Sequence, residues 1–294
     1  MRIDLHTHST ASDGTYSPAD VVRLAAADPA RLDVLALTDH DSMSGWAEAA
    51  EAAVRHAITL VPGMEISTKH AGAGVHVLGY LLDPGYPPLA AELERILQAR
   101  EGRLSTMLAQ LQAAGVTVSE DDVRRQVGDS PAIGRPHIAD AMVARGFAAD
   151  RGEAFTKWLN AGRPGHVARY ATPTATMIGL ITAAGGAAVI AHPWGHGSRR
   201  VMDAETLASL CAVGLTGLEV EHQDHGPTER SSLRGLATEL DLVITGSSDF
   251  HGLGKVDHEL GCNLTEPEQY ERLLAAAAAN AATSGRDVLS ATVP

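Results

Sequence analysis

Cysteine is nearly absent, at two residues in 294, and neither Cys211 nor Cys262 stands in a C-x-x-C pair. That spacing supports neither a disulfide framework nor a thiolate zinc site, so both thiols are read as buried and free. Basic residues are in the minority, 23 Lys and Arg against 36 Asp and Glu, for a formal net charge of -13. Such a chain lacks the broad cationic face that duplex nucleic acid requires, although acidic side chains that ligate cations would inflate the negative count. No basic and apolar leader precedes the first strand, and no apolar run reaches bilayer length. The expectation is a cytoplasmic protein with no membrane partner. Low-complexity tracts are missing too, and 45% hydrophobic with 20% charged residues is ordinary for a chain that folds.

What the sequence does hold is a rhythm. Short apolar runs (RIDL, DVLALT, TLVPGMEI, AAVIAH, TGLEVEH, LVITGSSD) alternate with helical patterns, which predicts βα units and a parallel sheet or barrel. Ser17, Pro18 and Asp20 mark the start of a first helix that should run to about Pro29. The AGAG turn between ISTKH and VHVLGYLL predicts a hairpin or a return strand within residues 60–82. From about Pro88 to Gly162 the texture becomes helical, broken by Gly and Pro, before the βα rhythm resumes past residue 172. This predicts one discontinuous α/β domain, residues 1–88 and 166–294, interrupted by a helical cap over 89–165. An Ala-rich stretch near 267–284 reads as an amphipathic packing helix.

The apolar runs end in metal-capable side chains: His6 and His8, Asp39 and His40, Glu65, His192, Glu221 and His222, Asp249 and His251. In a parallel barrel the carboxyl ends of the strands share one floor, so residues remote in sequence converge there. One H-x-H pair among 14 histidines carries little weight. In extended backbone, however, positions i and i+2 face the same side, and Asp249-x-His251 repeats the geometry of His6-x-His8 on another strand end. Imidazole and carboxylate without thiolate suit Zn, Mn or Fe in a catalytic site. His56, His70 and His258 lack strand-end placement and are read as ordinary structural histidines. His196, His222 and His225 are candidates for a pocket rim, and Glu219 and Glu221 for a solvated strand edge.

Together, Asp4-Leu-His6-Thr-His8, Ser12-Asp13-Gly14, Thr38-Asp39-His40-Asp41, Gly63-Met-Glu65, His76, Ala191-His192-Pro193 and Ser248-Asp249-Phe-His251 resemble the PHP (polymerase and histidinol phosphatase) superfamily of metal-dependent phosphoesterases. The resemblance implies a distorted seven-stranded TIM-like (β/α) barrel and three divalent metal ions. Carried over by position, His6, His8, Glu65 and Asp249 would hold one ion, with Glu65 bridging to a second held by His76 and His192. Asp13, His40 and His251 would hold the third. Asp4 and Asp39 would orient ring nitrogens of the ligands. Gly134-Arg135-Pro136-His137 and Gly162-Arg163-Pro164-Gly165 resemble cap segments of the branch that contains 3',5'-nucleoside bisphosphate phosphatases and exonucleases of short 5'-phosphorylated RNA. His166 and Arg163 depart from the Tyr and Lys common there, which bears on substrate preference.

The implied reaction is hydrolysis of a nucleotide phosphate monoester, the 3'-phosphate of a nucleoside 3',5'-bisphosphate, by a metal-bridging hydroxide with no side-chain nucleophile. Arg135, His137 and Arg163 are candidates to grip the remote phosphate, since guanidinium suits bidentate phosphate recognition. Arg199 and Arg200 after His192, and His225, are further candidates for substrate contact. A 5'-3' exoribonuclease acting on short RNA is the second enzymatic expectation. A non-catalytic metal-binding module is the alternative of another class.

Overall fold

The computed structural model describes every residue except His196, Val288 and Pro294, so the rim position expected of His196 lies outside the described residues. The chain begins β1 (Ile3–Asp4), α1 (Pro18–Ala26), β2 (Val34–Leu37) and α2 (Trp46–His56). Ser17 caps α1 by accepting from the Asp20 N–H, and a proline fills the first helical turn, where its missing donor costs nothing. The hairpin follows as β3 (Thr59–His70) and β4 (Ala73–Tyr80), antiparallel, turning at Ala71 and Gly72, both at positive φ. Next come α3 (Pro87–Gly102), α4 (Leu104–Ala113), α5 (Glu120–Val127), α6 (Arg135–Ala144) and α7 (Arg151–Ala154), the last running into a π-helical turn at Phe155–Leu159. The second half is β5 (Thr172–Pro173), α8 (Thr174–Ala183), β6 (Ala187–Ile190), α9 (Ala204–Cys211), β7 (Leu215–Glu221), α10 (Pro227–Glu239), β8 (Val243–Gly246) and α11 (Pro267–Ser284).

The strands are ordered β1-β2-β3-β4-β6-β7-β8, with β5 paired to β3 off that path. Neighbours are parallel except around β4, which is antiparallel to both β3 and β6. The ring nearly closes where Thr7 bridges Phe250 and the Thr265 N–H donates to the Ile3 carbonyl. The fold is therefore α/β, a distorted seven-stranded TIM-like barrel with an inserted helical cap. Strands such as VLAL of β2 and AAVI of β6 are buried along their whole length, as expected when side chains fill one face and helices cover the other. On the outer layer α11 turns Tyr270, Leu273, Ala277 and Ala281 inward at helical spacing. Among the described residues no helix is long and apolar enough to cross a membrane.

Leu104, Met107, Leu111, Val123, Ile138 and Met142 form an apolar core of their own in the helical insertion. Leu89, Leu93 and Ile96 of α3 instead pack with Ile178 and Ile181 of α8 against the barrel. The insertion also grips the loop after β1. Ser130 Oγ donates to the Ala11 carbonyl at 3.1 Å, His137 Nε2 lies 2.9 Å from the Ser12 carbonyl, and Arg151 donates to the Asp13 carbonyl at 3.1 Å. Three consecutive backbone carbonyls thus fix Asp13 from above.

Candidate metal centre

Glu65 is the hub of the barrel mouth. Its Oε2 lies 3.3 Å from His6 Nε2, 3.2 Å from His8 Nε2 and 3.0 Å from His40 Nδ1. Its Oε1 lies 2.6 Å from His76 Nδ1 and 3.0 Å from His192 Nε2. The hairpin explains how one carboxylate reaches so far: β3 and β4 pair Ser67 with His76, so Glu65 and His76 are diagonal neighbours on one face. Asp249 Oδ1 sits 3.4 Å from Nε2 of both His6 and His8, whose Nε2 atoms face each other at 3.0 Å. Asp13 completes the floor, 3.3 Å from His251 Nε2 and 3.7 Å from His40 Nε2.

These residues fit divalent cations. The ligand atoms of His6, His8, Glu65 and Asp249 lie within 4.8 Å of one another, as do those of His8, Asp13, His40 and His251, and those of His40, Glu65 and His76. Buried His40 Nδ1, His76 Nδ1 and Asp249 Oδ1 make no hydrogen bond of acceptable geometry despite their near neighbours. An orphaned buried polar atom costs about 1–3 kcal/mol, which a shared cation removes. The backbone carries strain at the same place: His192 (φ 27°), Asp249 (φ 52°) and Asp41 (φ 49°) are all left-handed, at a cost on the order of 1–3 kcal/mol each.

Charge is divided sharply across the centre. Burial opposes ionisation of Glu65, but His40, His76 and His6 hold its carboxyl well below the usual range. Asp249 is likewise held low despite burial, by the Lys255 ammonium and by His6 and His251. Burial opposes charge on His8, yet hydrogen bonding to Asp249 and Glu65 wins and raises it to about 9. At His40 burial prevails and pushes the imidazole down to about 3. In the metal-free protein, protons on His6 and His8 therefore offset part of the carboxylate charge that metal would otherwise neutralise.

Around Asp41, the residue after His40, gather the guanidiniums of Arg100, Arg103 and Arg169, with Arg135 near Arg100. Arg100 is committed to Asp41 and Ser67, at 2.7 Å and 2.9 Å. Burial, and then repulsion from Arg169, Arg100 and Arg135, pushes Arg103 down to about 8. Arg169 is pushed to about 10 by burial and Arg100, and burial and Arg100 also lower Arg135. Arg135 lies 5.4 Å from the centroid of the Phe155 ring and donates only a long bond, 3.4 Å, to the Leu159 carbonyl. Asp41 alone does not balance four guanidiniums.

Several expected site residues take other positions. His137 is not free to grip a phosphate: Nδ1 accepts from the Gly134 N–H and Nε2 faces the Ser12 carbonyl. His225 is buried away from any rim, with Nδ1 at the Val220 carbonyl and Nε2 accepting from the Trp194 N–H. His222 is also buried, its Nε2 3.2 Å from Asp249 Oδ2. Arg163 and Arg200 are exposed. Arg199 pairs with Glu229 and stacks near Trp194. Asp4 accepts from the backbone N–H groups of Ser248, Gly261 and His6, and burial raises it to about 6. Asp39 accepts from Ser9 and Ser12, and it reaches His8 Nδ1 only through Ser12 Oγ, 3.4 Å from the ring.

Sequence reading also missed Glu219, Lys255, His258, Arg100, Arg103 and Arg169. Lys255 Nζ binds Asp249 directly, and His258 groups with His222 and Asp249. Glu219 is fully buried against His6 rather than on a solvated edge. The one signal that pointed to it was its position in TGLEVEH, on a strand that ends in ligand-type residues.

A family model for the PHP domain matches residues 4–184. A 3',5'-nucleoside bisphosphate phosphatase of Chromobacterium violaceum is 37% identical over 260 residues, covering 88% of this chain and 90% of that protein. A 5'-3' exoribonuclease of Haemophilus influenzae is 34% identical over 250 residues, covering 85% and 90%. A crystal structure from Bifidobacterium adolescentis, assigned there as a metal-dependent phosphoesterase, superposes with a TM-score of 0.88 at 35% identity, covering 93% of this chain and 96% of that one. With a mouth of converging imidazoles and carboxylates, and with relatives matched along nearly their whole length, the chain belongs to the PHP domain family and is a metal-dependent phosphoric ester hydrolase.

Proposed function

We propose that the enzyme releases the 3'-phosphate from nucleoside 3',5'-bisphosphates. The observation that carries this reading is the pairing of two anion-attracting places: the carboxylate–imidazole centre and, next to it, the under-neutralised cluster of Arg103, Arg135 and Arg169. A substrate with two phosphates fits that arrangement, one group at the centre and the other among the guanidiniums, whose mutual repulsion it would relieve. The 37% identical phosphatase supports the same choice.

In this reading three ions of Mn, Zn or Fe are held, one by His6, His8, Glu65 and Asp249, one by Glu65, His76 and His192, and one by Asp13, His40 and His251. Such ions activate water and neutralise oxygens that gain charge during in-line displacement. The protein's part is positional. Glu65 ties the ligand groups together, Ser130, His137 and Arg151 fix the loop of Asp13, and the arginines orient the far phosphate. Residues 89–165 act as a cap that limits access to small nucleotides or short oligonucleotides. The net charge of -13 disfavours longer nucleic acid.

The test is phosphate release from adenosine 3',5'-bisphosphate by protein purified with Mn, beside Asp249→Asn. Wild type should turn over, while Asp249→Asn should fall at least about 100-fold with its fold intact, as for loss of a carboxylate that would hold a catalytic ion. A second reading, removal of nucleotides from the 5' end of short RNA, is favoured by the exoribonuclease relatives. Turnover of 5'-phosphorylated short RNA, with none of the bisphosphate, would replace the first reading by the second.

A further inference from the structure

Glu219 has no place among the nine expected ligands, yet it is a buried carboxylate in contact with two of them, His6 and His192. Its side chain is fully buried. Oε1 lies 2.9 Å from His6 Nδ1 and also accepts from Ser247 Oγ; Oε2 accepts from the His192 N–H at 2.8 Å. Three donors from three strand ends thus converge on two oxygens. Only a carboxylate offers acceptors on both sides, so the site selects Glu over its amide isostere.

We propose that Glu219 is a positioning residue that fixes the tautomer of His6 and couples two of the metal subsites. The inference rests on the metal-centre reading given above. With Glu219 facing Nδ1, the proton of a neutral His6 stays on Nδ1 and the Nε2 lone pair points at Glu65 Oε2 and Asp249 Oδ1, 3.3 Å and 3.4 Å away. The other oxygen holds the backbone of His192 in its left-handed conformation, which aims that ring at Glu65. One side chain therefore sets a ligand of the first subsite by its ring and a ligand of the second by its backbone.

The test is metal affinity by chelator competition on full-length protein, with Zn as the probe and apo stability measured in parallel. Glu219→Gln must present an NH₂ either to His6 and Ser247 or to the His192 N–H. We expect Zn affinity of the folded protein to fall about 10–100-fold, with a lower apo melting temperature as well because the amide faces a buried donor. Equal affinity in the two proteins overturns the role of Glu219 and leaves the hydrolase reading intact. A wild type that takes up no metal overturns that reading and this inference together. Should Glu219→Gln fail to fold, long-range ¹H–¹⁵N spectra of the Zn-loaded wild type decide: His6 ligated through Nε2 with a proton on Nδ1 supports the proposal, and ligation through Nδ1 overturns it.

Discussion

At the scale of single residues, the buried pair of Arg100 and Asp41 shows how the site is supported from outside the ligand set. Arg100 reaches from α3 into the mouth, its side chain 7% exposed, and meets Asp41 Oδ2 at 2.6 Å; Asp41 Oδ1 accepts from the Ser67 N–H at 2.7 Å. Removing Arg100 breaks its bonds to Asp41 and Ser67 while Arg169 and Arg103 still face Asp41, so Arg100→Ala should destabilise the fold by about 1–3 kcal/mol in urea denaturation. A loss below about 1 kcal/mol would mean that water reaches Asp41. Nothing in the sequence LQAREG marks this arginine, because a helix rich in charge normally solvates it. The ligand-type residues were legible for the opposite reason: strand ends repeat them, and barrel topology sends strand ends to one place. His137 and His225 illustrate the limit, since residue type suggested chemistry while their ring nitrogens are spent on backbone groups that only the fold brings near.

At the scale of elements, the most consequential irregularity is in β7. Glu219 pairs with Thr245 but Glu221 with Gly246, so two steps on β7 match one on β8. This is the signature of a bulge, and it re-aims the side chains around it. In a regular strand Glu219 and Glu221 would share a face, consistent with the expectation of one solvated edge for both. The extra residue instead sends Glu219 to His6 and leaves Glu221 outside with Arg230 and Arg234. Most strands could be read from the apolar runs; a one-residue bulge leaves no trace in hydropathy. Opposite it, Gly246 has no room for a β-carbon, which would run into the Leu264 carbonyl and the Glu221 side chain. Gly246→Ala should therefore cost about 1–3 kcal/mol, and by shifting the end of β8 it should also weaken metal binding through Asp249. Unchanged stability and unchanged metal affinity would show that the backbone there yields freely.

For the whole molecule, the proposed metal centre would join strands from both halves of the sequence, which makes its occupancy a term in global stability. Metal that binds only the folded state stabilises by about 2.7 kcal/mol at a hundredfold excess over Kd, on the order of 5–10 °C in melting temperature for a chain of this size. The sign of its pH dependence follows from His8. In the metal-free protein its folded value of about 9 exceeds the unfolded 6.5. Its attraction to Glu65 and Asp249 is therefore fully present below about pH 6.5 and fades as pH rises through about 9. Metal needs the neutral ring and must displace that proton, so metal affinity changes in the opposite direction and rises across the same window. The melting-temperature gap between Mn-loaded and EDTA-treated protein should consequently widen from about pH 6.5 to about pH 8.5, with the metal-free transition falling. Calorimetry of metal uptake in buffers of different ionisation enthalpy should register proton release that shrinks toward the alkaline end. A gap that narrows over that range, or uptake without proton release, would mean that His8 carries no proton for the metal to displace.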